Sequence, residues 1–264
     1  MISPLAHVDP SAKIGKNVII HPFAFISKNV EIGDDCEIYP FVSLLNGTRI
    51  GERTKIYNGA IIGAEPQDFN WKGEPSFCYI GSDCKIREHA IIRRGLTPEG
   101  ATRIGNKVFI MSECNIGHDS EIADKCVLGN GVSVAGNCKI DSCSILSSGV
   151  ILHNASEVGK WCMIKGGCRI SGNVPPYVIM AHNPVTYFGV NAFIMRHQKF
   201  EEETIDNIAK AYRHIYQCNV SVFNAIKRIE LDIEPSKERD EIVNFIRNHN
   251  LDIVAIDRNS MIID

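Results

Sequence analysis

The sequence predicts a mainly β protein: a parallel β-helix of hexapeptide repeats over residues 1–176, followed by a small α-helical domain within residues 177–264. Three observations carry this expectation. Aliphatic residues recur at every sixth position, the position four residues beyond each is small, and both patterns stop at Pro175-Pro176, where helical spacing takes over.

Steps of six from Ile2 to Ile170 reach 29 positions, and 26 of them hold Ile, Leu or Val; Asp68, Glu74 and Pro98 are the exceptions. Six residues advance an α-helix by about 600°, so no helical face collects these side chains. A coil of short strands and turns does, with the aliphatic residue pointing inward. The small position holds Ala6, Ala12, Val18, Ala24, Val30 and Cys36 in the first coils, and eight of the ten cysteines share it (36, 78, 84, 114, 126, 138, 162 and 168). Without a CxxC pair, these cysteines read as small buried hydrophobes in a reducing compartment rather than as disulfides or zinc ligands. Gly15, Gly33 and Gly51 follow aliphatic residues at intervals of 18, which predicts three hexads per coil. Each is assigned to a turn that needs positive φ.

Two interruptions stand out. Residues 68–79 insert two hexads, so the register survives while a loop leaves the prism, and a shorter break runs from Gly95 to Gly100. In so regular a scaffold a long loop points to use. Beyond the diproline, Ile205, Ile208, Ala209, Tyr212, Ile215 and Tyr216 are spaced as one helical face, Val222, Phe223, Ile226, Ile229 and Ile233 as a second, and Ile242, Val243 and Ile246 as a third. Glu201, Glu202 and Glu203 fall where the first of these helices starts and favour its dipole.

Composition narrows the functional classes. A net charge of −3, with 44% hydrophobic and 22% charged residues, lacks the Lys/Arg excess that nucleic acid or an anionic membrane surface demands. The first residues lack a signal-peptide pattern, and no run approaches eighteen apolar residues. The expected location is the cytoplasm, with no membrane insertion. Of nine histidines, six (His7, His21, His89, His182, His214 and His249) are assigned to structure. His118 is singled out: it lies outside the aliphatic and small slots and is followed by Asp119.

Several segments carry a family resemblance: Gln67-Asp68 and Gly73-Glu74-Pro75 in the loop, Ile86-Arg87-Glu88, Arg94-Gly95, Ile116-Gly117-His118-Asp119, Ala135-Gly136, His153, Val174-Pro175-Pro176-Tyr177 and Phe188-Gly189-Val190-Asn191. With the hexads, they resemble the hexapeptide acyltransferases, in particular the UDP-N-acetylglucosamine O-acyltransferases that open lipid A synthesis. The resemblance implies a left-handed β-helix, a homotrimer with sites between prisms, an acyl carrier protein as donor and a UDP-sugar as acceptor, with no metal or cofactor. It assigns His118 as the general base acting on the sugar 3-hydroxyl, Asp119 as its orienting partner, and the Gly136 N–H as a donor to the oxyanion. Imidazole suits that task because it titrates near neutrality.

The same resemblance places Gln67, Asp68, Asn70, Asn115, Asn137, His153, Asn191 and His197 around donor or nucleotide sugar, and Gly166 at the far end of the acyl groove. Asn70 stands where the family has lysine, Asn115 and Asn137 where it often has histidine, and His197 where it has arginine. These departures leave open another nucleotide sugar, such as a 3-amino analogue, and a noncatalytic carrier-binding paralogue. A later acyltransferase of the same pathway would precede its repeat with a large domain, whereas here hexads start at residue 2. A zinc hydratase on the same prism needs converging histidines, and residues 113–123 hold only His118. Lys210, Arg213, Lys227 and Arg228 are the expected basic patch for an acidic carrier.

Overall fold

The computed structural model describes residues 1–256; residues 257–264 of the expected C-terminal segment lie outside it. Strands of mostly two residues build three flat sheets that face each other as a triangular prism, a left-handed parallel β-helix. Strands this short accumulate little twist, which weakens the usual preference for right-handed crossovers. The first sheet has nine strands, from His7–Val8 to Arg169–Ile170, and the second has nine, from Lys13–Ile14 to Asn173–Val174. The third has ten, from Ile19–Ile20 to Thr186–Val190.

Register follows the hexads. Ile14 pairs with Ile32 and Ile32 with Ile50, so each coil takes 18 residues. Ile50 then pairs with Ile80, and Ile80 with Ile104, which gives the two interruptions twelve and six extra residues. The inward aliphatic side chains are sealed: Ile20, Ile38, Ile62, Ile92, Ile116 and Leu152 are all buried. Ile2 is exposed because no coil covers the first one.

The small slot does more than fill a corner. Cys36 Sγ donates to the Gly51 carbonyl at 3.0 Å, Cys138 to His153 at 3.0 Å, and Ser120 Oγ to Ala135 at 2.9 Å, so Cys, Ser and Thr there tie one coil to the next. Burial pushes the Cys126 thiol up to about 12, and Cys84 and Cys114 up to about 11. All ten cysteines are free thiols.

Three expectations need correction. Gly15, Gly33 and Gly51 do not adopt positive φ; the left-handed residue sits two further on, at positions such as Asn17, Asp35 and Arg53. Glycine is required by stacking instead, since a Cβ on Gly51 would lie 2.7 Å from the Gly81 carbonyl carbon. The long loop runs from 65 to 76, between the strands Ile61–Ala64 and Phe77–Ile80, so Phe77, Cys78 and Tyr79 belong to the prism. The third sheet also continues past Pro176: Val178–Ala181 pairs in parallel with Met163–Ile164 and then turns into an antiparallel strand, Thr186–Val190. Val178 and Met180 are buried, so the last coil is capped by chain that the hexad pattern does not reach.

Four helices follow: α1 (Ala192–His197), α2 (Glu202–Tyr216), α3 (Val222–Asp232) and α4 (Lys237–Asn248). Ile205, Ile208, Tyr212 and Ile215 bury one face of α2, and Ser221 and Ser236 cap α3 and α4 by accepting from the Asn224 and Arg239 N–H groups. Helix α1 has no apolar stripe long enough to be seen in the sequence. The helices are fastened to the prism by polar contacts: Lys160 Nζ and Tyr177 OH both donate to Glu241, and His249 Nε2 lies 3.0 Å from Glu157.

Candidate active site

One edge of the prism, where the first sheet turns into the second, carries His118, Gly136 and His153 on three successive coils. The chain turns there between Asn115–Ile116 and Glu121–Ile122, with Asp119 in the left-handed conformation (φ 55°) that short polar side chains tolerate. That turn folds the carboxylate of Asp119 back onto its neighbour. His118 Nδ1 and Asp119 Oδ2 are 2.9 Å apart, and the same oxygen accepts the Leu96 N–H at 2.9 Å. Because the carboxylate only accepts, Nδ1 carries the proton and Nε2 keeps its lone pair. Leu96 lies in the short break after Gly95, so that irregularity anchors the orienting carboxylate.

The imidazole is almost buried, yet Nε2 makes no hydrogen bond among the described residues. Asp68 Oδ2 stands 3.7 Å away, too far to bond and near enough to flank a hydroxyl placed between them. Asp68 is held by its own loop, where Oδ1 accepts the Asn70 N–H at 2.8 Å. Trp71 lies under the Arg94 guanidinium, 5.1 Å from its carbon to the ring centroid, and pins the loop to the prism. Gly136 is a glycine because His118 needs the room: a Cβ there would lie 2.6 Å from Nε2. Its N–H has no partner among the described residues and is free to donate beside the imidazole.

The other candidates fall into two groups. Gln67 and Asn70 are exposed on the loop, and Asn115 and His153 lie on the first sheet and its edge, on the same side of the prism as His118. Asn137 donates its backbone N–H to the His118 carbonyl, but its residue lines a separate polar cleft toward Asn248, His249 and Asp252. Gly166 sits at a different edge, between Met163–Ile164 and Arg169–Ile170. Asn191 is buried at the start of α1 and gives its side-chain N–H to the Trp161 carbonyl at 2.9 Å, away from His118. His197 is exposed at the end of α1. A single chain therefore brings together His118, Asp119, Asp68 and Gly136, and leaves Gly166, Asn191 and His197 apart. One residue was missed by the sequence reading: Arg93 is buried beside Asn115 and donates to its Oδ1. Among the described residues no cluster of three or more His, Cys, Asp or Glu could hold a metal, and no helix is long and apolar enough to cross a membrane.

Comparison with known proteins decides the family. An acyl-[acyl-carrier-protein]–UDP-N-acetylglucosamine O-acyltransferase from Sulfurihydrogenibium sp. (strain YO3AOP1) is 48% identical over 93% of this chain and 91% of its own length. The chain belongs to this acyltransferase family. The counterpart from Chlamydia pneumoniae is 43% identical over 93% of the chain and 87% of its own. Among family models, Udp N-acetylglucosamine O-acyltransferase, Domain 2, matches residues 173–254, which takes in the capping strands and the helices. The bacterial transferase hexapeptide model (six repeats) matches 101–136, and the GMPPB C-terminal domain model matches 2–97. The crystal structure of a UDP-N-acetylglucosamine acyltransferase from Bacteroides fragilis 9343 superposes with a TM-score of 0.93, at 43% identity, covering 94% of this chain and 97% of that one. That from Francisella novicida gives 0.91 at 33% identity, covering 100% and 97%. As a member of an acyltransferase family the chain is an enzyme, and the prism and the helical domain both belong to the match.

Proposed function

We propose that this acyltransferase moves a (3-hydroxy)acyl chain from acyl carrier protein to the 3-hydroxyl of UDP-N-acetylglucosamine, the step that opens lipid A synthesis. The observation that carries the reading is the imidazole lone pair at His118 Nε2, oriented by Asp119 and left unbonded beside Asp68. In this account the sugar hydroxyl sits between Nε2 and the thioester carbonyl. Nε2 takes its proton as the oxygen attacks, and the Gly136 N–H donates to the oxygen of the tetrahedral intermediate. The imidazolium then returns the proton to the departing thiolate, so protons balance over the cycle. Such a base is worth about 10²–10⁴ in rate. Gln67, Asp68, Asn70, Asn115 and His153 hold the substrates around it.

The site is completed between prisms of a homotrimer. Gly166 and His118 occupy different edges of one prism, so a groove that contains both needs a neighbour, and the loop at 65–76 projects Phe69 wholly into solvent where a neighbour would meet it. Asn137, Asn191 and His197 are assigned to the same shared site. Light scattering should return three times 29.3 kDa, and a monomeric mass would end this part of the account. For the acidic carrier, Arg213, Lys227 and Arg228 are exposed and Lys210 is half-buried on α2 and α3. An assay with purified protein, acyl carrier donors and a panel of nucleotide sugars, read by mass spectrometry, tests the reaction.

A further inference from the structure

Arg93 is the one arginine of the prism that is buried without a carboxylate. It is 7% exposed, and no Asp or Glu oxygen lies within salt-bridge distance among the described residues. Burial, with nothing to oppose it, lowers the basicity of its guanidinium. Among the described residues its Nε is buried without a partner, and its one side-chain hydrogen bond runs from Nη1 to Asn115 Oδ1. Removing a cation from water without a counter-charge is costly, and a fold gains nothing by keeping one at a strand end whose partner on the neighbouring coil is Ala64. A ligand that accepts hydrogen bonds would repay that cost.

The local geometry says what kind of ligand. Arg93 ends the strand Ile91–Arg93, which pairs with Asn115–Ile116, and the latter runs through Gly117 directly into His118. Because Asn115 Oδ1 is taken by the arginine, the amide must turn its NH₂ outward. Arg93 and Asn115 then present donors, Nδ2 of the amide with Nη2 of the guanidinium, while Nε stays buried behind them. A donor-only pair three residues from the general base fits an oxygen acceptor on the atom next to the reacting hydroxyl.

We infer that Arg93 is a specificity-determining residue which, with Asn115, binds the acetamido carbonyl at C2 of the acceptor sugar. The inference rests on the reaction proposed above, in which the adjacent 3-hydroxyl faces His118. The pair selects N-acylated sugars over those with a plain hydroxyl at C2, because a hydroxyl there reaches less far and leaves a buried cation unmet.

The test compares UDP-N-acetylglucosamine with UDP-glucose, using the intact enzyme, Arg93→Met and, as a second variant that retains charge, Arg93→Lys. The intact enzyme should prefer the acetamido sugar, and Arg93→Met should lose about ten- to a hundredfold of kcat/KM on that sugar while changing little on UDP-glucose, so the preference narrows by the same factor. The KM for the acyl carrier donor and the pH profile should stay in place, and Arg93→Lys should recover part of the preference. Equal losses on both sugars in a folded Arg93→Met would make Arg93 structural and overturn the inference. If Arg93→Met does not fold, an unchanged preference in Arg93→Lys would overturn it too. Absence of transfer to either sugar by the intact enzyme would instead refute the reaction reading.

Discussion

Gly136→Ala is the smallest change that should disable the site while leaving the prism standing. The backbone at 136 is not in the left-handed region, so alanine meets no conformational penalty there. The methyl group instead meets the imidazole, at 2.6 Å from Nε2 and 2.7 Å from Cε1. Nonbonded atoms settle at about 3.5 Å, so the ring must retreat by roughly 0.9 Å. It cannot do so and keep its 2.9 Å bond to Asp119, which is itself held by Leu96. A misplacement of about 1 Å at a reacting group costs on the order of 10²-fold. We therefore expect kcat to fall by about that factor, with destabilisation of at most about 1–3 kcal/mol from overpacking. Steady-state turnover and thermal unfolding, measured together, separate the two effects. Asn17→Ala is the converse control: it forces alanine into φ 57° far from the site, should cost about 1–2 kcal/mol of stability, and should leave turnover alone. If Gly136→Ala keeps normal turnover in a folded protein, His118 is not held where the mechanism needs it.

Further expectations follow from other parts of the structure. Asp119→Asn should reduce turnover by about 10²–10⁴ without moving the KM for either substrate, because the amide can favour the wrong imidazole tautomer; an unchanged kcat would remove Asp119 from its orienting role. Gly166→Met should shorten the preferred acyl donor while turnover of short donors survives, since a Cβ there meets only the Ser148 carbonyl at 3.1 Å; an unchanged chain preference would release Gly166 from the groove. A thiol reagent at pH 8 should modify the exposed Cys218 quickly and reach all ten cysteines only on unfolding, because burial holds thiols such as Cys126 far above that pH; rapid labelling of several would contradict the sealed corners. Arg87 and nearby hydrogen bonds hold the Glu88 carboxyl down at about 2, so its contribution is complete above the ordinary carboxylate value and lost as pH falls toward 2. Glu88→Gln should thus cost about 1 kcal/mol at pH 7, after solvent screening, and little at pH 2; equal costs at both would refute the charge-based account.

The prism was legible because its period is set by packing alone: past the first coil each inward aliphatic residue is buried whatever its neighbours do, so Ile32, Ile50 and Ile80 announce the coil directly. The limits of the loop were less plain, although Cys78 in the small slot already marks a return to the prism before residue 79. Gly51 was seen as special for the wrong reason, since close stacking on the next coil is a tertiary fact that the chain does not express locally. His118 and Asp119 stood out because a His-Asp pair in register belongs to neither repeating slot. Arg93 did not, because an arginine at a strand end is ordinarily solvent-facing, and only the fold shows that no carboxylate among the described residues answers its charge. The strands at 178–190 and helix α1 were hidden for a similar reason: they are held by the last coil of the prism rather than by a periodicity of their own.

The central claim is acyl transfer with His118 as the base, and the most direct measurement is mass spectrometry of the product formed by the intact enzyme and by His118→Ala from a 3-hydroxyacyl carrier donor and UDP-N-acetylglucosamine. The account predicts a 3-O-acylated sugar nucleotide from the intact enzyme and at least about 10²-fold less from a correctly folded His118→Ala. Near-normal product from that variant, or none from the intact enzyme with any donor, would contradict it.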